Sequence, residues 1–396
     1  MKILQICNKI PFPSRDGGSM AMHQLAESLT RLGHKVKILA MDTHKQQFSE
    51  SELDAAYRKK YAPEYVFIDT RVKILGAMFN LFSDKSYNIE RFYSLAFEKK
   101  LIGLLKQEKF DIVQLESIYV APYLKIIREH SQARVVLRAH NIEHLIWERL
   151  SEGESRPVKR KYLRLLAERL KAYEQKHLNE FNAIAAITPG DAAYFRQAGC
   201  TKPVIHIPFC IDTTPVSPVV ADRHSLFFIG AMDWLPNEES IRWILDQLWD
   251  KILEMQPAAR FYIAGRNMPA WLKELNKKQV FVLPDVADAG LFIADKAILL
   301  APYFSGGGMR VKFIEAMAQK KTVITTRIGA EGIEGRDGEH FILAETVAGM
   351  VAAVDKCMKE PALLDYIGAN ARSLVAGKYD SRRNAEALIE LYKKLK

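Results

Sequence analysis

The chain lacks any apolar run approaching the roughly 18 residues that span a bilayer. Its first apolar stretch, residues 3–7, is too short for a signal-peptide core and is cut by Asn8 and Lys9. Only four cysteines are present (Cys7, Cys200, Cys210 and Cys357), and no two have metal-type spacing. A disulfide scaffold and a zinc module are thereby excluded, and a cytosolic protein with reduced thiols is expected. No metal-ligand cluster, GxSxG elbow or Walker lysine loop occurs. The GxGxxG dinucleotide fingerprint is also missing, which argues against a nicotinamide enzyme. There is no low-complexity segment.

What is present is an ordinary globular composition, 48% hydrophobic and 26% charged over 396 residues, enough for two or three domains with real cores. The charge is uneven. Residues 1–213 hold 33 Lys and Arg against 24 Asp and Glu, whereas residues 214–396 hold 24 against 23. The basic first half suits an anionic partner: nucleic acid, an acidic membrane surface or a phosphorylated lipid. A merely solvated basic surface fits equally well.

Short apolar runs alternate with amphipathic stretches from end to end, the mark of parallel α/β architecture. In the first half strands are expected at residues 1–7, 34–41, 65–72, 111–116, 134–139 and 183–188, with a helix at 18–32. The pattern restarts at 225–231, followed by a helix over about 237–255. Strands at 260–264, 280–284, 298–303 and 322–326 complete the second sheet. Residues 208–218 carry three prolines with Thr and Ser, which reads as a linker. The expected division is an N-terminal Rossmann-like domain over 1–208 and a C-terminal one over 209–378. A terminal helix, 379–396, would pack back on the first with Ala385, Leu388, Ile389 and Tyr392 along one face. Two doubly wound domains facing a cleft would bind ligands beyond the carboxyl ends of their strands.

The most informative stretch is Ser305-Gly306-Gly307-Gly308-Met309-Arg310-Val311-Lys312-Phe313-Ile314-Glu315. Glycines between a strand and a helix bring bare N–H groups and the positive dipole end to an anion. Arg310 and Lys312 fall in the expected first turn, where the dipole disfavours cations and a phosphate would offset the cost. Glu315, one turn on, can accept hydrogen bonds from a ribose diol. The stretch reads as a nucleotide-diphosphate site.

Other positions are weaker. Gly17 and Gly18 precede a helix that Ser19 would cap, allowing close backbone approach or merely a tight turn. His140, with Asn141 and Glu143, follows the strand at 134–139. Asn237 reads as the cap of the helix at 237–255. The helix at 159–178 has a basic face that could lie on anionic membrane, although Glu168 and Glu174 favour a solvated helix packed on the core.

These pieces together resemble the retaining glycosyltransferases of the GT-B fold, family 4, over nearly the whole chain. A bacterial branch involved in surface polysaccharide assembly is the nearest group. The resemblance rests on the Gly17-Gly18 loop, the His140 region, residues 187–192 and 204–212, Phe228-Ile229-Gly230, and Ile314-Glu315-Ala316-Met317-Ala318. It implies that Glu315 holds ribose hydroxyls and that Gly307, Gly308 and Met309 face the sugar and diphosphate. Gly17 and Gly18 would approach the diphosphate or acceptor, His140 would hydrogen-bond the donor sugar, and Val286 would lie by the base. Two positions depart from the family pattern. Gly307 stands where an acidic residue is usual, and Gly230-Ala231-Met232-Asp233 offers no Arg or Lys for the pyrophosphate. Arg310 and Lys312 are taken to supply that charge.

The implied reaction is hexosyl transfer from a nucleoside-diphosphate sugar to an acceptor hydroxyl with retention, by front-face displacement. It calls for no metal or cofactor beyond the donor, and closure about residues 208–218 would exclude water. The acceptor would be a saccharide, carried on a polyprenyl-type lipid, with the enzyme at the inner face of the membrane. A catalytically inactive subunit of the same fold, recruiting a partner transferase, is the competing reading. A nucleotide-sugar epimerase lacks candidate acid and base groups, and no module for nucleic acid accompanies the basic bias.

Overall fold

The computed structural model describes all residues except 15, 45–48, 215–219, 287, 307 and 396. It divides into two compact units: residues 1–210 with 381–396, and residues 211–380. Each is built on one all-parallel sheet.

In the first unit the strands are β1 Lys2–Cys7, β2 Lys35–Thr43, β3 Glu64–Ile68, β4 Ile112–Glu116, β5 Arg134–Ala139, β6 Ala183–Ala186 and β7 Val204–His206. They lie in the order β3-β2-β1-β4-β5-β6-β7. Alternation along each strand sends neighbouring residues to opposite faces. Ile3, Ile38 and Ile112 face helix Gly17–Arg31 and the terminal helix Ser381–Leu395, whose Ala385, Leu388, Ile389 and Tyr392 are buried there. Leu4, Leu39 and Val113 face Leu101, Leu104 and Ile127 on the other side. Both faces are covered, as parallel sheets require.

The second unit holds β8 Asp222–Ile229, β9 Arg260–Gly265, β10 Val280–Pro284, β11 Lys296–Ala301, β12 Thr322–Thr325 and β13 Ile342–Leu343, ordered β10-β9-β8-β11-β12-β13. Strand order reverses between β1 and β4 in the first sheet and between β8 and β11 in the second. Such switch points open crevices at the carboxyl ends of the strands.

Several expected boundaries move. Strand β3 stops at Ile68, because Asp69 turns back onto the Arg71 backbone N–H at 3.2 Å and its guanidinium at 2.8 Å. Short strands β7 and β13 were not expected. The single helix over 237–255 is instead Leu235–Trp243, a π-helical turn Ile244–Leu248, and Trp249–Met255. Its N-cap is Trp234 rather than Asn237, since Pro236 fits the first turn and starts the helix earlier. Asp16, not Ser19, caps the first long helix. Ser19 sits three residues in and returns a bond to the Asp16 N–H, completing a capping box.

Candidate active site

The second unit assembles its polar cluster where β8 and β11 part. Strand β11 is buried throughout. Beyond it Gly306 and Gly308 adopt φ of +80° and +85°, a left-handed backbone that glycine enters without strain. Gly307, the third glycine of the expected cradle, lies outside the described residues. Helix Val311–Ala318 follows; no side chain caps its N-terminus, and the Phe313 N–H turns back to the Arg310 carbonyl at 2.9 Å, so the positive end of the dipole is uncompensated by a side-chain cap.

Arg310 is the N-cap of that helix rather than a member of its first turn. It is 4% exposed, with its guanidinium 4.8 Å from the Tyr303 ring centre and 5.2 Å from that of Trp234. It donates to the Gly308 carbonyl within its own loop. The stacking and that bond brace the glycine turn while leaving a positive charge beneath it. Met309, beside it, packs against Gly332, where a Cβ would come within 3.1 Å.

Lys312 reaches further. Its Nζ donates to Asn237 Oδ1 at 2.9 Å and to Tyr303 Oη at 2.8 Å, using two of its three N–H bonds. Tyr303 donates to the same Asn237 oxygen at 2.7 Å, and Asn237 Nδ2 is anchored on the Ala231 carbonyl at 2.7 Å. A Cβ built on Gly230 would lie 2.5 Å from the Lys312 ammonium. The helix cation therefore occupies the end of β8, where the first residues after that strand supply no Arg or Lys. Burial, with Arg310 close by, pushes its pKa well below the ordinary lysine value. An anion bound here would reverse that shift. Half-buried Glu315, one turn later, is pushed up to about 7 by burial, against the pull of Lys312. It accepts no hydrogen bond from another side chain among the described residues. Val286 is not part of this cluster. It follows β10, an edge strand separated from β11 by β9 and β8.

The first unit gathers its own groups at the β1/β4 switch. His140, just after β5, hydrogen-bonds through Nε2 to Glu116 Oε2 at 2.6 Å. Glu116 closes β4 and is wholly buried. Gln5 donates to its other oxygen at 2.7 Å, as does Gln114, which is in turn bonded by Tyr392. Arg138 Nε lies 3.7 Å away. Burial alone would raise the Glu116 pKa, but His140, Arg138 and Gln5 together bring it below the ordinary carboxylate value. A charged carboxylate thus fixes the imidazole through Nε2. Nearby, Gly18 faces the Lys9 ammonium, which pairs with Asp16 at 2.7 Å. Gly17 is exposed beside it.

Glu143, at the start of helix Glu143–Glu152, accepts from Tyr119 Oη at 3.0 Å and from Asn141 Nδ2 at 3.5 Å. Burial pushes it up to about 7, with neighbouring Glu174 adding repulsion. Between about pH 4.5 and pH 7 the folded chain therefore holds a proton that the unfolded chain releases. Stability contributed by this group falls as pH rises through that window. Glu143→Gln should flatten the slope. Urea unfolding at pH 5 and pH 7.5 should show wild type losing about 2–3 kcal/mol relative to the variant.

Two all-parallel doubly wound units, each with polar groups at its switch point, define the GT-B class of transferase fold. Solved structures agree in fold. Sucrose-phosphate synthase from Thermosynechococcus elongatus superposes with a TM-score of 0.72 at 14% identity, over 100% of this chain and 99% of that one. HepE of Anabaena, in complex with UDP-glucose, gives 0.67 at 13%, over 100% of each chain. The chain belongs to Glycosyltransferase Family 4, whose pattern matches residues 15–215, and residues 223–360 match Glycosyl transferases group 1. A Klebsiella pneumoniae protein, described as an uncharacterized 44.6 kDa protein in cps region, is 23% identical over 401 residues, covering 96% of this chain and 97% of its own.

Proposed function

We propose that this glycosyltransferase moves a hexosyl group from a nucleoside-diphosphate donor to a saccharide hydroxyl, with retention, in surface polysaccharide synthesis. The observation that carries the reading is the Lys312 ammonium at the end of β8, beneath a glycine turn braced by Arg310, with Glu315 one turn on. The UDP-glucose bound by HepE supports a donor of this class, and the cps-region relative supports the polysaccharide setting. Glu315 holds the ribose diol, the backbone of Gly307, Gly308 and Met309 faces the diphosphate and sugar, and Val286 contacts the base. Gly17 and Gly18 approach the diphosphate or acceptor from the first unit's loop. His140 hydrogen-bonds the sugar near its reacting carbon.

In the transfer, the bond from the anomeric carbon to the diphosphate oxygen breaks as the acceptor oxygen bonds to the same face. The acceptor's proton passes to the departing diphosphate. Negative charge grows on that diphosphate, and the helix N–H groups, Arg310 and Lys312 stabilise it in place of a divalent metal. The basic first half suits an acceptor held on a polyprenyl-type phosphate at the inner face of the membrane.

A thermal-shift screen of nucleoside diphosphates and their sugars tests the donor, with selective stabilisation expected for one base. Transfer or donor hydrolysis by the purified protein tests the chemistry. Selective binding with no turnover would favour the inactive-subunit reading, to which Gly307 and the lack of Arg or Lys at residues 230–233 lend support. Glu315 adds a second measurement. Ribose hydroxyls donating to it favour the carboxylate, so binding near pH 6.5 should release protons. Calorimetric enthalpies should then vary with buffer ionisation enthalpy, and Glu315→Gln should remove the dependence. The Ala variant should bind about 10- to 100-fold more weakly.

A further inference from the structure

Helix Ile74–Leu81 of the first unit is apolar and short. Phe79 is 76% exposed and Phe82, just past its end, 92%. Val72 and Met78 are each more than half exposed. Water should not tolerate such a run without a reason, since a monomer's surface disperses its large apolar groups. Nor is the segment loosely tethered. Tyr87 Oη bonds both the N–H and the carbonyl of Lys73 at 3.0 and 3.1 Å, and Gly76 gives that ring room to approach. At the other end Arg169 grips the Asn80 carbonyl at 2.7 Å, its side chain at 2.9 Å and the Leu81 carbonyl at 3.1 Å. Buried Asn80 is further bonded to Ser83, the Lys85 carbonyl and Glu90, each at 3.1 Å. Polar clamps hold the inner side of this segment while Phe79 and Phe82 stand out.

We propose that this segment is a membrane-docking wedge that inserts Phe79 and Phe82 among the headgroups of an anionic bilayer. Charge selects the occupant. Lys73 precedes the helix and Lys85 follows it, both well exposed, so the apolar tip is flanked by cations that can reach phosphates. Asp69 and Glu90 are engaged with Arg71, Lys73 and Lys85, while Asp84 remains an acidic neighbour. The surplus comes from helix Pro157–His177, clamped to the wedge through Arg169. It carries seven Lys and Arg against two Glu. A second copy of the chain would bring that same positive surplus against itself, whereas anionic headgroups would attract it. Apolar insertion with electrostatic attraction is the combination that holds a peripheral protein at an interface. The proposal deepens the lipid-linked acceptor reading by naming the surface that would meet the lipid, but it does not need an acceptor to be tested.

The test is flotation of the full chain with phosphatidylcholine vesicles, with or without phosphatidylglycerol, alongside Phe79→Ser/Phe82→Ser. Wild type should float with the anionic vesicles and far less with the neutral ones. The double variant should partition on the order of tenfold more weakly or worse, with unchanged thermal unfolding and unchanged nucleoside-diphosphate affinity. Arg160→Ser/Lys161→Ser/Arg164→Ser should weaken binding and reduce its salt dependence. Equal flotation of wild type and the Phe variant, or none of either, overturns the wedge. So does a wild-type dimer by sedimentation that the variant abolishes without any vesicle binding. Loss of nucleotide binding in wild type would sink the transferase reading instead and leave the wedge standing.

Discussion

Lys312→Met is expected to lower the single-turnover rate of glycosyl transfer on the order of 10²–10³-fold. The variant keeps an unbranched side chain one atom shorter and gives up the ammonium that lies 4.3 Å over the Phe228 ring. With it go the charge and the two bonds to Asn237 and Tyr303. Those two remain bonded to each other, so the cluster should hold its shape. The loss then measures what one preorganised cation contributes as charge grows on the leaving diphosphate. Lys312→Arg should not restore the rate, because the ammonium already lies where a Cβ on Gly230 would collide with it, and a planar fork needs more room. Arg310→Lys serves as the contrast. Charge survives, but the guanidinium stacking on Trp234 and Tyr303 and the bracing of the Gly308 carbonyl do not. Its effect should fall on nucleotide affinity, about 10- to 100-fold by calorimetry, as the turn loosens. A Lys312→Met enzyme with wild-type rate and affinity would show that the ammonium serves packing alone.

Most of the sheet framework was legible because each buried parallel strand is a short unbroken apolar run. Strands β5 and β10 end at the very residues expected from sequence. Strand β7 has three residues between Pro203 and Pro208, and β13 has two, so neither leaves a periodicity to read. Residue type at a telling position singled out His140, Lys312 and Glu315, each just beyond a strand or one turn into the following helix. Their partners were hidden for one reason. Glu116 meets His140 only because β4 lies beside β5, and Gln5 joins them because β1 lies beside β4. Asn237 and Tyr303, 66 residues apart, meet because β8 is the neighbour of β11. A carboxylate closing an apolar strand was a visible signal at Glu116. The inward turn of Asn237 had none, since helix caps and buried amides use the same residue.

Glu116→Gln should separate what holds the first unit together from what performs its chemistry. The Arg138 guanidinium is wholly buried, and its Nε and Nη1 make no hydrogen bond. Its charge is compensated by Glu116 at 3.7 Å and by one long bond from Nη2 to the Pro208 carbonyl at 3.4 Å. Making Glu116 neutral strands that cation in a low-dielectric interior, at an expected cost of about 3–5 kcal/mol. Hydrogen exchange should place the loss in residues 1–210, with the second unit unaffected. Glu116→Leu/Arg138→Leu should recover most of it, because removing both charges removes the desolvation cost along with the attraction. His140→Ala has the opposite profile. Glu116 keeps its bonds to Gln5 and Gln114, so stability should change by less than about 1 kcal/mol, while transfer is abolished and nucleoside-diphosphate affinity is spared. If His140→Ala destabilised the first unit as much as Glu116→Gln, the imidazole would be a structural counter-charge, and the sugar-binding role assigned to it would fall.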